Sequence, residues 1–206
     1  MVSSQPARRD AVRNHHRILD AAREVLGESG AGANMEEIAA RAGVGVGTVY
    51  RRFASKDALI DELLRLAMEE VLAAADHALA RTDGCGLGEF LRAIGQSFAD
   101  HARYANLLLE RRADGVAAGR IRTAVDELTA RARTAGTVNQ GITVGDVLAL
   151  IWAMRGLVQT AGDVAPDAWQ RFLDIHLAGL RSTASPSDVR SLSDRQLSEL
   201  APRAGS

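Results

Sequence analysis

Two short helical runs set around a single glycine constrain this chain more than any other feature of its sequence. Asn34 stands before Met35, Ile38, Ala39 and Ala42, with Glu37 three residues on, a capping-box arrangement that starts a helix of about eight residues. Gly43 stops it. Val49 and Phe53, four residues apart, then mark the inner face of an equally short helix that Ala54-Ser55 breaks. Before this pair, Ile18, Leu19, Ala22, Val25 and Leu26 recur at helical spacing from Arg13 onward, with stop signals at Gly27 and Gly30. After it, Ser55 caps a much longer run from Lys56 to about Arg81, striped by Leu59, Leu63, Leu66 and Val71. These lengths are those of a helix-turn-helix, whose last helix enters a DNA major groove.

The remainder also reads as helix. Asp83-Gly84-Cys85-Gly86 marks a turn, and helical patterns follow at 87–102, 104–113, 117–135, 143–161 and 166–182, the last with Pro166 at its first position. No window of alternating β-branched residues competes, and 37 Ala and 23 Leu stand against 4% aromatics, so the expected fold class is all-α. The layout expected is a flexible basic arm over 1–12, a helix-turn-helix domain over 13–58, a helical domain over 59–183, and a polar tail over 184–206 with at most a short helix near 193–200.

A net charge of -1 excludes a generally basic, polyanion-binding chain, so any nucleic-acid surface is local. Residues 1–60 hold nine basic and seven acidic groups, and residues 61–206 hold 16 and 19. The lone Cys85 forms no internal disulfide, and no N-terminal stretch joins a basic region to a long apolar one. The chain is expected to be cytoplasmic, with no membrane partner. Arg supplies 24 of the 25 basic residues, a bias that suggests a GC-rich bacterial genome.

With Val49 and Phe53 turned inward, Val46, Gly47, Thr48, Tyr50, Arg51 and Arg52 face elsewhere. Guanidinium forks suit phosphates and guanine edges, a Tyr hydroxyl donates to phosphate, and glycines at a helix start let backbone approach DNA closely. The plainer alternative is a solvated helix face. Lys56, the chain's only Lys, sits at a helix N-terminus, where the dipole also favours a phosphate; its alternative is a solvated side chain. Arg8, Arg9, Arg13, His15, His16 and Arg17 cluster where they reach DNA backbone or minor groove.

Ile18-Leu19-x-Ala21-Ala22, then Ile38-Ala39-x-x-Ala42-Gly43-Val44, then Gly47-Thr48-Val49-Tyr50-x-x-Phe53-x-Ser55-Lys56-x-x-Leu59 together resemble the DNA-binding domain of the TetR family of bacterial transcriptional regulators. The resemblance implies an all-helical homodimer whose C-terminal domain, here 59–183, binds a ligand and dimerises. Position by position, it implies that Thr48, Tyr50 and Lys56 grip phosphates while Val46, Gly47 and Arg51 face base edges. Gly45 departs from the family's frequent Ser cap and Asn34 from its frequent Thr, and both are competent N-caps. Val46 and Gly47 offer bases no side-chain hydrogen bond, which leaves Arg51 as the main reader. The function implied is a repressor of pseudo-palindromic double-stranded DNA, modulated by a small-molecule effector, with no cofactor and no metal.

In the C-terminal part, Val147, Leu148, Leu150, Ile151, Trp152, Met154, Leu157 and Val158 cover an arc of about 220° on a helical wheel, roughly twice what a one-sided helix needs. Trp169, Phe172, Leu173, Leu177 and Leu180 form a second broad face. A dimeric four-helix bundle would bury both, so Ile151, Val158, Trp169, Phe172, Leu173, Leu177 and Leu180 are the expected dimer interface. Arg155 falls inside the apolar arc and needs a carboxylate such as Asp174, an anionic ligand, or a stem that reaches solvent. His101 shares a face with Phe90, Leu91, Ile94 and Phe98, either as a hydrogen-bonded core residue or as part of a pocket. The expected pocket is Met68, Phe98, His101, Trp152 and Arg155, suited to an amphipathic, anionic or aromatic effector.

Two other classes compete. A redox regulator would act through Cys85, an accessible loop thiol. An enzyme is not expected: Gly95-Gln96-Ser97 lies mid-helix with no strand before it, and His77, Cys85, His101 and His176 show no metal-ligand spacing.

Overall fold

The computed structural model describes residues 5–104, 115–181 and 189–200, and every regular element among them is helical. The α-helices are α1 (Gln5–Ser29), α2 (Met35–Ala42), α3 (Val46–Arg52), α4 (Lys56–Leu79), α5 (Gly86–His101), α6 (Gly115–Thr134), α7 (Val144–Ala161), α8 (Ala168–Leu180) and α9 (Asp194–Leu200), with short 3-10 turns at Gly30–Gly32 and Ala102–Tyr104.

Several ends follow directly from capping chemistry. Asn34 Oδ1 accepts from the Glu37 amide at 2.8 Å, the Asn half of the expected box. Gly43 closes α2 at φ 63°, with its amide on Ala40 O and the Val44 amide on Ala39 O, both at 3.1 Å. This paired arrangement requires a left-handed residue, which glycine supplies without a Cβ penalty. Thr143 and Asp146 cap α7 reciprocally: Thr143 Oγ1 accepts from the Asp146 amide, and Asp146 Oδ2 accepts from the Thr143 amide.

Three boundaries differ from expectation. The arm expected over 1–12 is helical from Gln5, because Pro6 falls in a first turn whose amides have no helical partner in any case. The helix expected from 166 begins at Ala168, with the Ala168 amide on Ala165 O at 3.0 Å closing a turn across Pro166. The tail beyond 184 is in part structured: Ser193 and Gln196 cap α9, and Leu197 is buried. A Cβ on Gly145 would meet Leu192 O at 2.6 Å, so the segment entering α9 rests on the start of α7. The helix expected over 104–113 lies outside the described residues beyond Tyr104, as do residues 1–4, 182–188 and 201–206.

Two compact units result. The first runs to Leu66 and includes Arg103 and Tyr104, so its boundary on α4 falls eight residues beyond the 58 expected. Its core holds Ile18, Leu26, Ile38, Val49, Leu59 and Leu63, all at 1% exposure or less, and Tyr104 joins them. The second unit runs from Ala67 through Ala102 and resumes after the first unit's return segment. Phe90, Leu91, Val125, Leu128, Met154 and Leu173 form its centre.

That second core corrects the expected dimer interface. Ile151, Val158, Trp169, Leu173 and Leu177 are buried inside one protomer, and Phe172 and Leu180 are half-buried against the same cluster. The wide apolar arc of α7 is consumed by three neighbours in its own unit, α5, α6 and α8, and so does not indicate a partner. For the same reason α7 is apolar and long enough to cross a membrane by length and composition while serving as a core helix.

Candidate nucleic-acid interface

The geometry of α3 follows from two buried anchors. Val49 is fully buried and Phe53 is 6% exposed, which fixes the rotation of the helix. Val46, Gly47, Tyr50, Arg51 and Arg52 are thereby exposed and Thr48 is half-buried. Val46 at 40% and Tyr50 at 46% expose large apolar surface that a folded core normally takes up. Gly45 caps the helix without a side chain, and the Thr48 amide reaches Gly45 O at 2.8 Å. Among the described residues, no neighbour that would block a Cβ lies within 4 Å of Gly45 or Gly47, which leaves this end of the helix open on that account.

The polar side chains on this face are steered from within the unit. Arg51 Nη2 donates to Thr48 Oγ1 at 3.0 Å, one turn back. Arg52 Nε donates to His15 Nδ1 at 2.9 Å, across to α1. His15 stacks on Phe53 with ring centroids 5.6 Å apart, and its Nε2 lies 3.7 Å from Glu62 Oε1. Burial, followed by the nearby Arg52 charge, pushes the His15 imidazole below its usual range. Glu62 is held low mainly by its hydrogen bonds from Arg65, at 2.7 and 2.9 Å.

Lys56 is engaged within the fold. Its Nζ donates to Ala31 O at 2.6 Å and Ala33 O at 3.0 Å, tying the start of α4 to the turn before α2. An ammonium has three donors, so two are spent on the fold and one remains for a phosphate. Sequence reasoning placed Lys56 at the helix start but had no means of finding acceptors more than 20 residues away. It likewise grouped His15 with the basic cluster and did not pair it with Arg52, 37 residues on.

The second unit holds the residues expected to form a pocket. Met68, Phe98, Trp152 and Arg155 are half-buried and His101 is buried. His101 Nδ1 lies 2.6 Å from Ser97 O, a bond to its own helix one turn back. Arg155 Nε is buried and lacks a hydrogen-bond partner among the described residues, and desolvation lowers the affinity of the guanidinium for its proton. Asp174, the carboxylate considered for Arg155, is bound instead by Arg92 Nη2 at 2.7 Å. Two clefts mark this unit's surface. One of about 500 Å³ runs between α4 and α6 and includes Leu72, Leu79, Val116 and Arg120; another of about 530 Å³ lies along the outer face of α8. None of the five expected pocket residues lines either. Cys85 is exposed, and the neighbouring Arg81 is engaged by Asp83.

Comparison with known proteins covers both units. Residues 18–63 match the family model described as bacterial regulatory proteins of the tetR family, and residues 84–182 match the C-terminal domain of SbtR-like transcriptional regulators. Among solved structures, a TetR transcriptional regulator from Streptomyces coelicolor shares 30% identity over 82% of this chain and 99% of its own, with a TM-score of 0.61. A TetR regulatory protein from Mycobacterium vanbaalenii shares 32% over 86% of this chain and 100% of its own, at 0.58. The regulator FadR of Bacillus subtilis, solved with stearoyl-CoA, shares 20% over 82% of this chain and 99% of its own, at 0.57. A comparison with curated proteins finds no match.

Proposed function

The chain belongs to the TetR family of bacterial transcriptional regulators, and from that premise we propose that it represses transcription by binding a pseudo-palindromic operator as a homodimer, releasing it on binding a small molecule. The observation that carries the DNA-binding reading is the outward face of α3, where Tyr50, Arg51 and Arg52 are exposed around two buried anchors. Arg51 is the side chain with the reach and fork to read a base edge, and Thr48, Tyr50, Arg52 and the remaining Lys56 donor are placed for backbone contacts. A duplex selected by the protein from a random-sequence library is expected to carry two half-sites about one helical turn, or a multiple, apart. Arg51→Ala should cost about 1 to 3 kcal/mol and relax base preference at one position in each half-site. If the Arg51→Ala protein selects the same sequence with undiminished affinity, the base-reading assignment fails.

Dimerisation is assigned to the outward faces of α7 and α8, with Ile175, 57% exposed, at the centre of the α8 surface beside Arg171, Asp174 and Ala178. The effector reading rests on Arg155, since a partly buried guanidinium with an unpaired Nε favours an anionic partner. Met68, Phe98 and Trp152 supply apolar surface and His101 a polar edge, a chemistry matched to an amphipathic anion. In FadR the same fold accommodates an acyl-CoA. Arg155→Leu is expected to leave operator binding intact and abolish its release by anionic compounds that act on the wild-type protein, read by anisotropy of the labelled duplex. Undiminished release in the variant would remove Arg155 from the effector site.

A further inference from the structure

The contact between Arg52 and His15 joins an exposed cation on the DNA-facing helix to a half-buried imidazole on another element, and its donor and acceptor roles are fixed by chemistry. Arginine has only donors, so the 2.9 Å contact requires an unprotonated Nδ1 on His15. The imidazole proton then sits on Nε2, facing Glu62 Oε1 at 3.7 Å, and Glu62 is itself held by Arg65. Phe53 stacks on the ring and restricts its rotation. Of the five N–H donors of Arg52, only the one on Nε has a partner among the described residues, which leaves both Nη groups available on the exposed face.

We propose that His15 is a positioning residue for DNA backbone binding: its neutral Nδ1 holds Arg52 by Nε so that both Nη groups are presented together to a single phosphate. The inference rests on the reading of α3 as the DNA-entering helix and adds a residue that does not itself touch DNA. A free arginine loses rotamer freedom when it grips a phosphate, and the tether removes part of that cost before DNA arrives. Glu62, kept ionised by Arg65, selects the tautomer that leaves Nδ1 as an acceptor.

The arrangement has a pH sense. The charged and titratable groups around the ring are Arg52 from α3, Glu62 and Arg65 from α4, and His16 beside it on α1. Protonation would set an N–H on Nδ1 against the Arg52 N–H and place two cations together, so Arg52 must let go. Because the imidazole in the folded protein titrates below 6.5, the tether is present above that value and is lost as pH falls through the lowered one.

The test measures affinity and salt dependence by anisotropy on one labelled duplex, selected by the wild-type protein from a random library, for the full-length wild type, His15→Leu, His15→Gln, Arg52→Ala and the double variant His15→Leu/Arg52→Ala. Arg52→Ala should weaken binding severalfold and lower the salt slope by about one. His15→Leu should weaken binding in the wild-type background and have no effect in the Arg52→Ala background. His15→Gln, whose Oε1 can accept from Nε, should bind as wild type and lack the wild-type loss of affinity as pH falls below 6.5. If His15→Leu lowers the melting temperature, the Gln variant and its pH profile carry the test alone. The proposal is overturned if His15→Leu weakens binding equally with and without Arg52, or if His15→Gln keeps the wild-type pH profile. Should Arg52→Ala leave affinity and slope unchanged, the reading of this α3 face fails and the proposal with it; a loss in Arg52→Ala that His15→Leu does not share overturns the positioning role alone.

Discussion

Leu173→Asp is expected to unfold the C-terminal unit, whereas Ile175→Glu is expected to leave it folded and separate the two copies of the dimer. The two residues lie two apart on α8, about 200° around the helix axis and so on opposite faces: Leu173 is fully buried among Phe90, Met154 and Trp169, and Ile175 is 57% exposed. Removing a buried Leu side chain costs about 2 to 5 kcal/mol on its own. Placing a carboxylate there adds a desolvation cost of several kcal/mol or leaves a protonated acid in an apolar site. The sum is comparable to the whole stability of a domain, about 5 to 15 kcal/mol. At Ile175 neither cost arises in the monomer, since the new carboxylate stays in water, and repulsion appears only where two copies meet. Circular dichroism melts and light scattering on both variants separate the cases. A folded, monomeric Leu173→Asp protein would return the interface to the inward stripe.

The N-terminal unit was legible because its signals are local. Asn34, Gly43 and Ser55 each act within five residues of their own position, through caps and a left-handed glycine that the structure contains. The Val49 and Phe53 pair sets the rotation of α3, and every exposed residue on that helix follows from it. What escaped was long in sequence: the Lys56 bonds to Ala31 and Ala33, and the Arg52 bond to His15. Periodicity describes the face of a single helix and carries no information about which distant acceptor that face meets.

The C-terminal unit misled for a related reason. A broad apolar arc signals that a helix is covered on several sides, and nothing in the arc distinguishes its own unit from a second copy of the chain. Here α5, α6 and α8 cover α7, so the stripes proposed for the interface became core. Asp174 was a reasonable partner for Arg155 by composition, but Arg92 on α5 takes it. The tail was polar on average, yet one residue, Leu197, buries itself and a Ser193–Gln196 capping box supports the helix around it.

Gly95→Val is expected to destabilise the C-terminal unit by about 2 to 3 kcal/mol, although valine is the better helix former of the two. A glycine in the middle of α5 costs the helix roughly 0.5 to 1 kcal/mol relative to alanine, so intrinsic propensity alone predicts a modest gain on replacing it. Packing opposes that gain. A Cβ at this position would lie 2.4 Å from Trp169 Cε3 and Cζ3 and 3.0 Å from Met154 Sδ. The indole is 5% exposed and Met154 is fully buried, so neither can retreat into solvent. Overpacking a close-fitted core costs about 1 to 3 kcal/mol and sometimes more, and valine adds two further methyls to the clash. The same contact explains why Gly95 precedes Gln96 and Ser97 in mid-helix: the glycine is the space in which Trp169 lies, and it fixes α5 against α7 and α8 in the unit that carries Phe98, Trp152 and Arg155. A denaturant titration of Gly95→Val, alone and with Trp169→Leu, checks the cause. The smaller side chain at 169 should recover part of the loss, so the two changes should cost less together than their separate costs predict. Strict additivity would show that the indole is not what the new side chain meets.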